Sequence, residues 1–113
     1  SFSRKNLYSI IYNLISNAVK YQSPERVPKV TLKAEKIDGH TLLTVEDNGL
    51  GISEYNLSKL FTLFKRFHSH VEGTGMGLYI VKRLITNAGG RIEVHSDEGK
   101  GTTFKLYFKN KNM

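Results

Sequence analysis

The sequence predicts an α+β domain: a two-layer sandwich with a mixed, mainly antiparallel sheet and helices on one of its faces. Two observations carry this reading. Apolar residues recur at helical spacing in two stretches, Leu7 to Ala18 and Leu78 to Ile85. Elsewhere they alternate with polar residues in two pairs of short segments, each pair joined by a glycine-bearing turn. Hairpins impose antiparallel pairing, and helices with a single apolar stripe bury it against one face of such a sheet.

The first helix carries Leu7, Ile10, Ile11, Leu14, Ile15 and Ala18. Ser23-Pro24 ends it, because the residue before a proline is pushed out of the helical region. Val30, Leu32 and Ala34 alternate with polar residues, as do Leu43 and Val45, and Asp38-Gly39 between the two runs reads as a two-residue hairpin turn. Asn48-Gly49-Leu50-Gly51 breaks the second strand. Ser53 is the expected N-cap of a short helix running toward Phe61. The segment from Lys65 to Thr74 has no clear period and leads into the glycines Gly73, Gly75 and Gly77. A third helix bears Leu78, Val81, Leu84 and Ile85 and stops at Gly89-Gly90. Two last strands show Ile92 and Val94, then Phe104, Leu106 and Phe108.

Composition bounds the class. The 113 residues suit one domain, expected to span 1–113. Opening on Ser1 with a helical pattern almost at once, the chain reads as a domain cut from a longer protein. Without cysteine, it has no disulfide framework, cysteine-ligated zinc or thiol catalysis. No apolar run approaches the ~18 residues of a membrane span. The net charge of +7 points toward anions. Its lysines are dispersed, however, and tight basic pairs are limited to Arg4-Lys5, Lys65-Arg66 and Lys82-Arg83. No nucleic-acid-binding motif is present, so none is expected as a partner.

The first helix holds the most informative polar residues. Asn13 and Asn17 lie about 40° apart on a stripe that also carries Lys20 and Tyr21, along the edge of the buried face. Carboxamides in mid-helix are poor helix formers. They are either a polar helix edge or ligands, since a neutral amide oxygen suits Mg²⁺ held mainly by phosphates and a lysine one turn later reaches a phosphate. Asp47 shares strand parity with Leu43 and Val45, which places a carboxylate on the core side, where it needs a donor. An adenine amino group is one candidate; an Asp capping its own turn is the other. Gly49 and Gly51 would let a flat base approach the backbone. The glycines at 73, 75 and 77 open the third helix and expose its N–H groups as a phosphate cradle, in neither the dinucleotide-binding nor the Walker A spacing. His68 and His70 lack the further ligands of a metal site, and His40 and His95 have no catalytic companion in sequence.

Taken in order, these pieces resemble the ATP-binding catalytic domain of sensor histidine kinases, in the superfamily of gyrase, Hsp90, histidine kinases and MutL. Asn13-Leu-Ile-Ser-Asn17-Ala-Val-Lys20-Tyr21 is similar to its asparagine box, and Asp47-Asn-Gly49-Leu-Gly51-Ile52 to its first glycine box. Phe61-Thr-Leu-Phe64 is similar to its phenylalanine box, Gly73-Thr74-Gly75-Met76-Gly77-Leu78 to its second glycine box, and Gly99-Lys-Gly101-Thr102-Thr-Phe104 to its closing strand motif.

The resemblance implies a Bergerat-type fold that binds ATP and Mg²⁺. Asn17 would hold Mg²⁺ against the phosphates, with Asn13 a second contact. Lys20 would meet a phosphate, Tyr21 would stack on adenine, and Asp47, helped by Thr102, would accept from its amino group. Gly49, Gly51, Ile52 and Phe64 belong to boxes that line the nucleotide. Arg66 would approach the terminal phosphate, and the run from Gly73 through Thr74, Gly75, Met76 and Gly77 to Leu78 would fold over the phosphates. Asn13, Lys20 and Arg66 would be the catalytic contributors.

The implied reaction is transfer of the terminal phosphoryl group to a histidine on a separate dimerisation domain, within two-component signalling. The parent is then expected to be a homodimer with a response regulator downstream, located in the cytoplasm with or without a membrane anchor. Two features depart from the wider superfamily. Related ATPases place Glu where this chain has Asn13, which cannot take a proton, so rapid hydrolysis is disfavoured. None of the four histidines resembles the phosphoacceptor. The stretch between Phe64 and Gly73 is also short, which would leave the nucleotide relatively exposed. An energy-coupling ATPase and a non-catalytic docking module are the alternatives.

Overall fold

A computed structural model describes residues 4–53 and 77–109. The first helix, α1 (Arg4–Lys20), buries Ile10, Leu14 and Ala18 on one stripe. Lys20 in its last turn complements the negative end of the helix dipole. The chain leaves the helix through Tyr21, whose N–H still bonds the Asn17 carbonyl at 3.0 Å. The hydroxyl of buried Ser23 then accepts from the Glu25 amide at 3.2 Å, so the turn before the first strand is closed from within.

Strands β1 (Val30–Ile37) and β2 (His40–Asp47) form the expected hairpin, with Ile37 opposite His40. Asp38 and Gly39 have φ of 41° and 80°, the pair of positive values that a type I′ turn demands. Helix α2 (Gly77–Asn87) follows, closed by bonds from the Gly89 and Gly90 amides back to the Thr86 and Ile85 carbonyls. Strands β3 (Arg91–Asp97) and β4 (Gly101–Lys109) form a second hairpin. The sheet order is β1-β2-β4-β3, antiparallel throughout among the described residues.

Ile10 and Leu14 of α1 and Leu78, Val81 and Ile85 of α2 meet Leu43, Val45, Phe104 and Leu106 of the two central strands in one apolar core. Ile92, Val94 and Phe108 pack against its border. The sequence was therefore right about both layers. The other face of the sheet carries a smaller arrangement in which the Arg91 guanidinium lies 3.8 Å from the centre of the Tyr107 ring and bonds Glu93 at 3.3 Å.

One expectation is revised. Alternation alone gives β1 a buried face, yet Leu32 is 42% exposed and Ala34 is exposed as well. The reason is position: β1 is an edge strand, and the two described helices lie over β2, β3 and β4. The short helix expected from Ser53 toward Phe61 falls largely outside the described residues.

These environments separate two residues that the sequence pattern treats alike. Ile85→Ala, at a fully buried site, is expected to cost about 2–5 kcal/mol in urea denaturation. Leu32→Ala, at the open edge, is expected to cost about 1 kcal/mol or less. Equal losses would contradict this placement of the core.

Candidate functional site

Asp47 ends β2 on the inward side, in the row of Leu43 and Val45, and pairs across the ladder with Thr102 of β4. It is half-buried, and its Oδ1 accepts the Gly49 N–H at 2.9 Å. Burial pushes its carboxyl pKa above the ordinary value, while the Gly49 and Thr102 backbone amides pull the other way and the neighbouring Glu46 charge adds a smaller upward push. A carboxylate has about four lone-pair sites, so two amide donors leave acceptor capacity for a ligand. This is a held acceptor, short of solvent.

The turn after Asp47 is built from close backbone approaches. A Cβ at Gly49 would sit 2.5 Å from the Tyr21 carbonyl oxygen, and one at Gly51, where φ is +76°, would sit 2.2 Å from the Asp97 carbonyl oxygen. Between them, the Leu50 N–H donates to the Tyr21 carbonyl at 2.8 Å and the Leu50 carbonyl accepts from Gly99 at 2.7 Å. The space that the sequence reading reserved for a base at these glycines is thus occupied by the chain's own backbone. Their described role is to let the end of α1, the turn after β2 and the β3–β4 turn touch.

Thr102 is buried, and its hydroxyl lies 2.8 Å from that of Ser96. The Ser96 hydroxyl also donates to the Gly101 carbonyl at 2.9 Å and accepts the Ile52 N–H at 2.8 Å. One serine therefore joins Ile52 to Thr102, two positions expected at the site. Ser96 itself carried no signal in the sequence, because its partners are set by pairing across the sheet.

The α1 stripe leads into this cluster. Asn13 is half-buried and its amide nitrogen donates to the Ser9 carbonyl at 2.8 Å, which leaves the amide oxygen as its available group. Asn17 is half-buried one turn later, Lys20 is exposed, and half-buried Tyr21 is tied to the turn through its carbonyl. Tyr21, Asp47, Gly49, Gly51, Ile52 and Thr102 are thus brought together, with Asn13, Asn17 and Lys20 on the helix that ends at Tyr21. Gly77 opens α2, and the Leu78 side chain lies in the hydrophobic core. Phe64, Arg66, Gly73, Thr74, Gly75 and Met76 lie outside the described residues, as do His68 and His70.

A hollow of about 520 Å³ opens at the same end of the sheet, lined in part by Glu46, His95, Asp97, Lys100 and Thr103. Glu46, Thr103 and His95 form one cross-strand row of parity opposite to Asp47, which places them on the face away from the helices. Asp47, Ser96 and Thr102 also line that hollow, so at the strand ends it reaches the inward carboxylate as well. Among the described residues no group of His, Asp and Glu side chains could hold a metal ion by itself. The Asn13 and Asn17 oxygens fit a Mg²⁺ ion held mainly by phosphates, and do not make a site composed of protein ligands alone.

Residues 3–112 match the family described as histidine kinase-, DNA gyrase B- and HSP90-like ATPases. The cyanobacterial phytochrome A of Nostoc sp. is 42% identical over 100 residues, covering 87% of this chain and 13% of that protein. Sensor protein RprX of Bacteroides fragilis is 36% identical over 103 residues, covering 88% of this chain and 20% of that protein. The mycobacterial sensor histidine kinase MprB superposes with a TM-score of 0.84 at 27% identity, over 98% of this chain and 76% of that one. Full-length ShkA in complex with AMPPNP superposes with a TM-score of 0.78 at 31% identity, over 94% of this chain and 22% of that one. The chain belongs to this ATPase family, as an ATP-binding catalytic domain of the sensor histidine kinase kind. It spans 13% and 20% of the lengths of the two curated relatives above.

Asp47 sets a testable pH dependence. Its folded pKa is raised, so its contribution to stability is complete below the ordinary value of 3.8 and is lost as pH rises through the raised one. Asp47→Asn removes the titrating group. The variant's stability relative to wild type is expected to be highest near pH 7 and to fall on acidification toward about pH 4, in urea denaturation at both pH values. A relative stability that rises on acidification would contradict the raised pKa.

Proposed function

We propose that this chain binds ATP with Mg²⁺ and presents its terminal phosphoryl group to a histidine on a separate dimerisation domain, within a two-component pathway that ends on a response regulator. The observation that carries the proposal is the half-buried Asp47 carboxylate, held by Gly49 and beside Thr102, with acceptor capacity left over. An adenine amino group is the complementary donor. Family membership supports ATP as the nucleotide, and the neighbour ShkA holds AMPPNP.

In this reading adenine lies against the turn after β2, with Asp47 and Thr102 reading its polar edge and the Tyr21 ring against its face. The phosphates then run along the Asn13–Asn17–Lys20 stripe toward the start of α2 at Gly77. Asn17 and Asn13 contribute neutral oxygens to Mg²⁺, and Lys20 contributes a positive charge to the phosphates. Mg²⁺ bound there would neutralise charge on the phosphates, the largest electrostatic demand of phosphoryl transfer. Arg66 and the glycines from 73 to 77 would complete the phosphate side.

The transfer itself breaks the bond between the terminal phosphorus and its bridging oxygen and forms a bond to an imidazole nitrogen, leaving ADP. Asn13 cannot accept a proton, which suits a nucleophile that is already competent and disfavours activation of water. Slow hydrolysis by the isolated chain is the corresponding expectation, and rapid turnover would instead favour the energy-coupling ATPase reading.

Calorimetric titration with a non-hydrolysable ATP analogue and Mg²⁺ tests the core of the proposal. Wild type is expected to bind, and Asp47→Ala to bind about 10- to 100-fold more weakly, the effect of one hydrogen bond to a charged acceptor. Affinity is also expected to fall as acid protonates Asp47, beginning above the ordinary carboxyl range because its pKa is raised. Binding that ignores both Asp47→Ala and pH would sink the proposal.

A further inference from the structure

Arg26 sits in the connection between α1 and β1, where the sequence patterns assign no role. Its half-buried guanidinium forks onto two consecutive carbonyls of the turn after β2, with Nε donating to Asn48 O at 2.9 Å and Nη2 to Gly49 O at 2.7 Å. The Asn48 side chain answers from the other direction. Its Nδ2 donates to the Val27 carbonyl and its Oδ1 accepts the Lys29 N–H, both at 2.9 Å. Together with the bond from Asn48 N to the Lys29 carbonyl at 3.3 Å, these contacts bind residues 26–29 to residues 48 and 49 along both strands of the approach.

The restrained turn is the one that orients Asp47. The Gly49 N–H that donates to Asp47 Oδ1 belongs to the residue whose carbonyl Arg26 grips, and the peptide between Asn48 and Gly49 carries both that N–H and the Asn48 carbonyl gripped by Nε. A peptide unit is planar, so holding its oxygen fixes the direction of its N–H. The donor is a cation, and charge-assisted bonds to two carbonyls are stronger than the neutral bonds typical of a turn.

We infer that Arg26 is a positioning residue for base selection: through the Asn48-Gly49 peptide it holds the Asp47 carboxylate where it distinguishes an adenine amino group from a carbonyl. The inference rests on the proposed contact between Asp47 and adenine. A held acceptor rejects a second acceptor by leaving two lone pairs opposed, and a loose one turns aside and loses that discrimination.

The test compares ATP with inosine triphosphate, whose base carries a carbonyl where adenine carries its amino group. Both are titrated with Mg²⁺ against the 113-residue chain. Wild type is expected to prefer ATP, and Arg26→Ala to lower that preference about tenfold, with ATP affinity falling and inosine triphosphate affinity largely kept. Arg26→Lys, whose ammonium does not reproduce the planar fork, is expected to fall between the two. Ile85→Val, which loosens the core away from the turn, is expected to leave the preference unchanged.

Equal weakening for both nucleotides in Arg26→Ala, with the preference intact, would overturn the inference and leave Arg26 as a fold contact. Should Arg26→Ala fail to fold, a wild-type preference in Arg26→Lys would overturn it equally. Wild-type binding of ATP without preference would instead remove the assignment of Asp47 to the amino group, and the inference with it. Binding of neither nucleotide would overturn the nucleotide reading itself.

Discussion

The backbone of Leu50 is the joint on which the site depends. Its N–H reaches the Tyr21 carbonyl at the end of α1, and its carbonyl takes the Gly99 N–H from the β3–β4 turn. Segments far apart in sequence are drawn together there, with Gly49 and Gly51 on either side to admit the approach. The apolar core a few residues away holds the helices to the sheet, but it does not dictate how α1 ends relative to β2. That is decided by polar bonds of ordinary length, each worth about 1 kcal/mol net. A site assembled this way takes its geometry from many weak constraints acting on the same short turn.

The electrostatics follow from the same arrangement. Drawing the turn against Tyr21 and Asp97 takes Asp47 partly out of water, and desolvation raises its pKa. The amides exposed by the turn return part of that cost as hydrogen bonds, so the carboxylate is supported without being saturated. An acceptor with unused capacity, short of solvent, is chemically different from an aspartate that caps its own loop. The sequence left those two readings open, and the Gly49 bond shows that the capping half of the second is also present.

What was legible in the sequence was local or periodic. The Asp38-Gly39 turn follows from backbone preferences of two adjacent residues, and the inward parity of Asp47 from the two-residue repeat of a strand. The exposure of Leu32 was not legible, because whether a strand lies at the edge is decided by sheet order. Ser96 and Arg26 were invisible for a related reason. Ser96 reaches Ile52, 44 residues away, Arg26 reaches Asn48, 22 residues away, and neither residue type carries a recognisable pattern. Gly49 and Gly51 were legible as special positions, but the object of their close approach was not: it is the chain's own backbone.

The open edge at β1 has a consequence for life at high concentration. Its outer side has no strand partner in the described sheet and carries half-exposed Leu32 and Ile37, a combination that invites a second sheet to continue the ladder. Lys33, Glu35 and Lys36 interrupt that surface, all of them exposed. An edge-to-edge encounter between two copies would press charged side chains against one another and strip their water. Part of the positive excess is thus read as a barrier to self-association, placed on the free edge of the strand that pairs with β2.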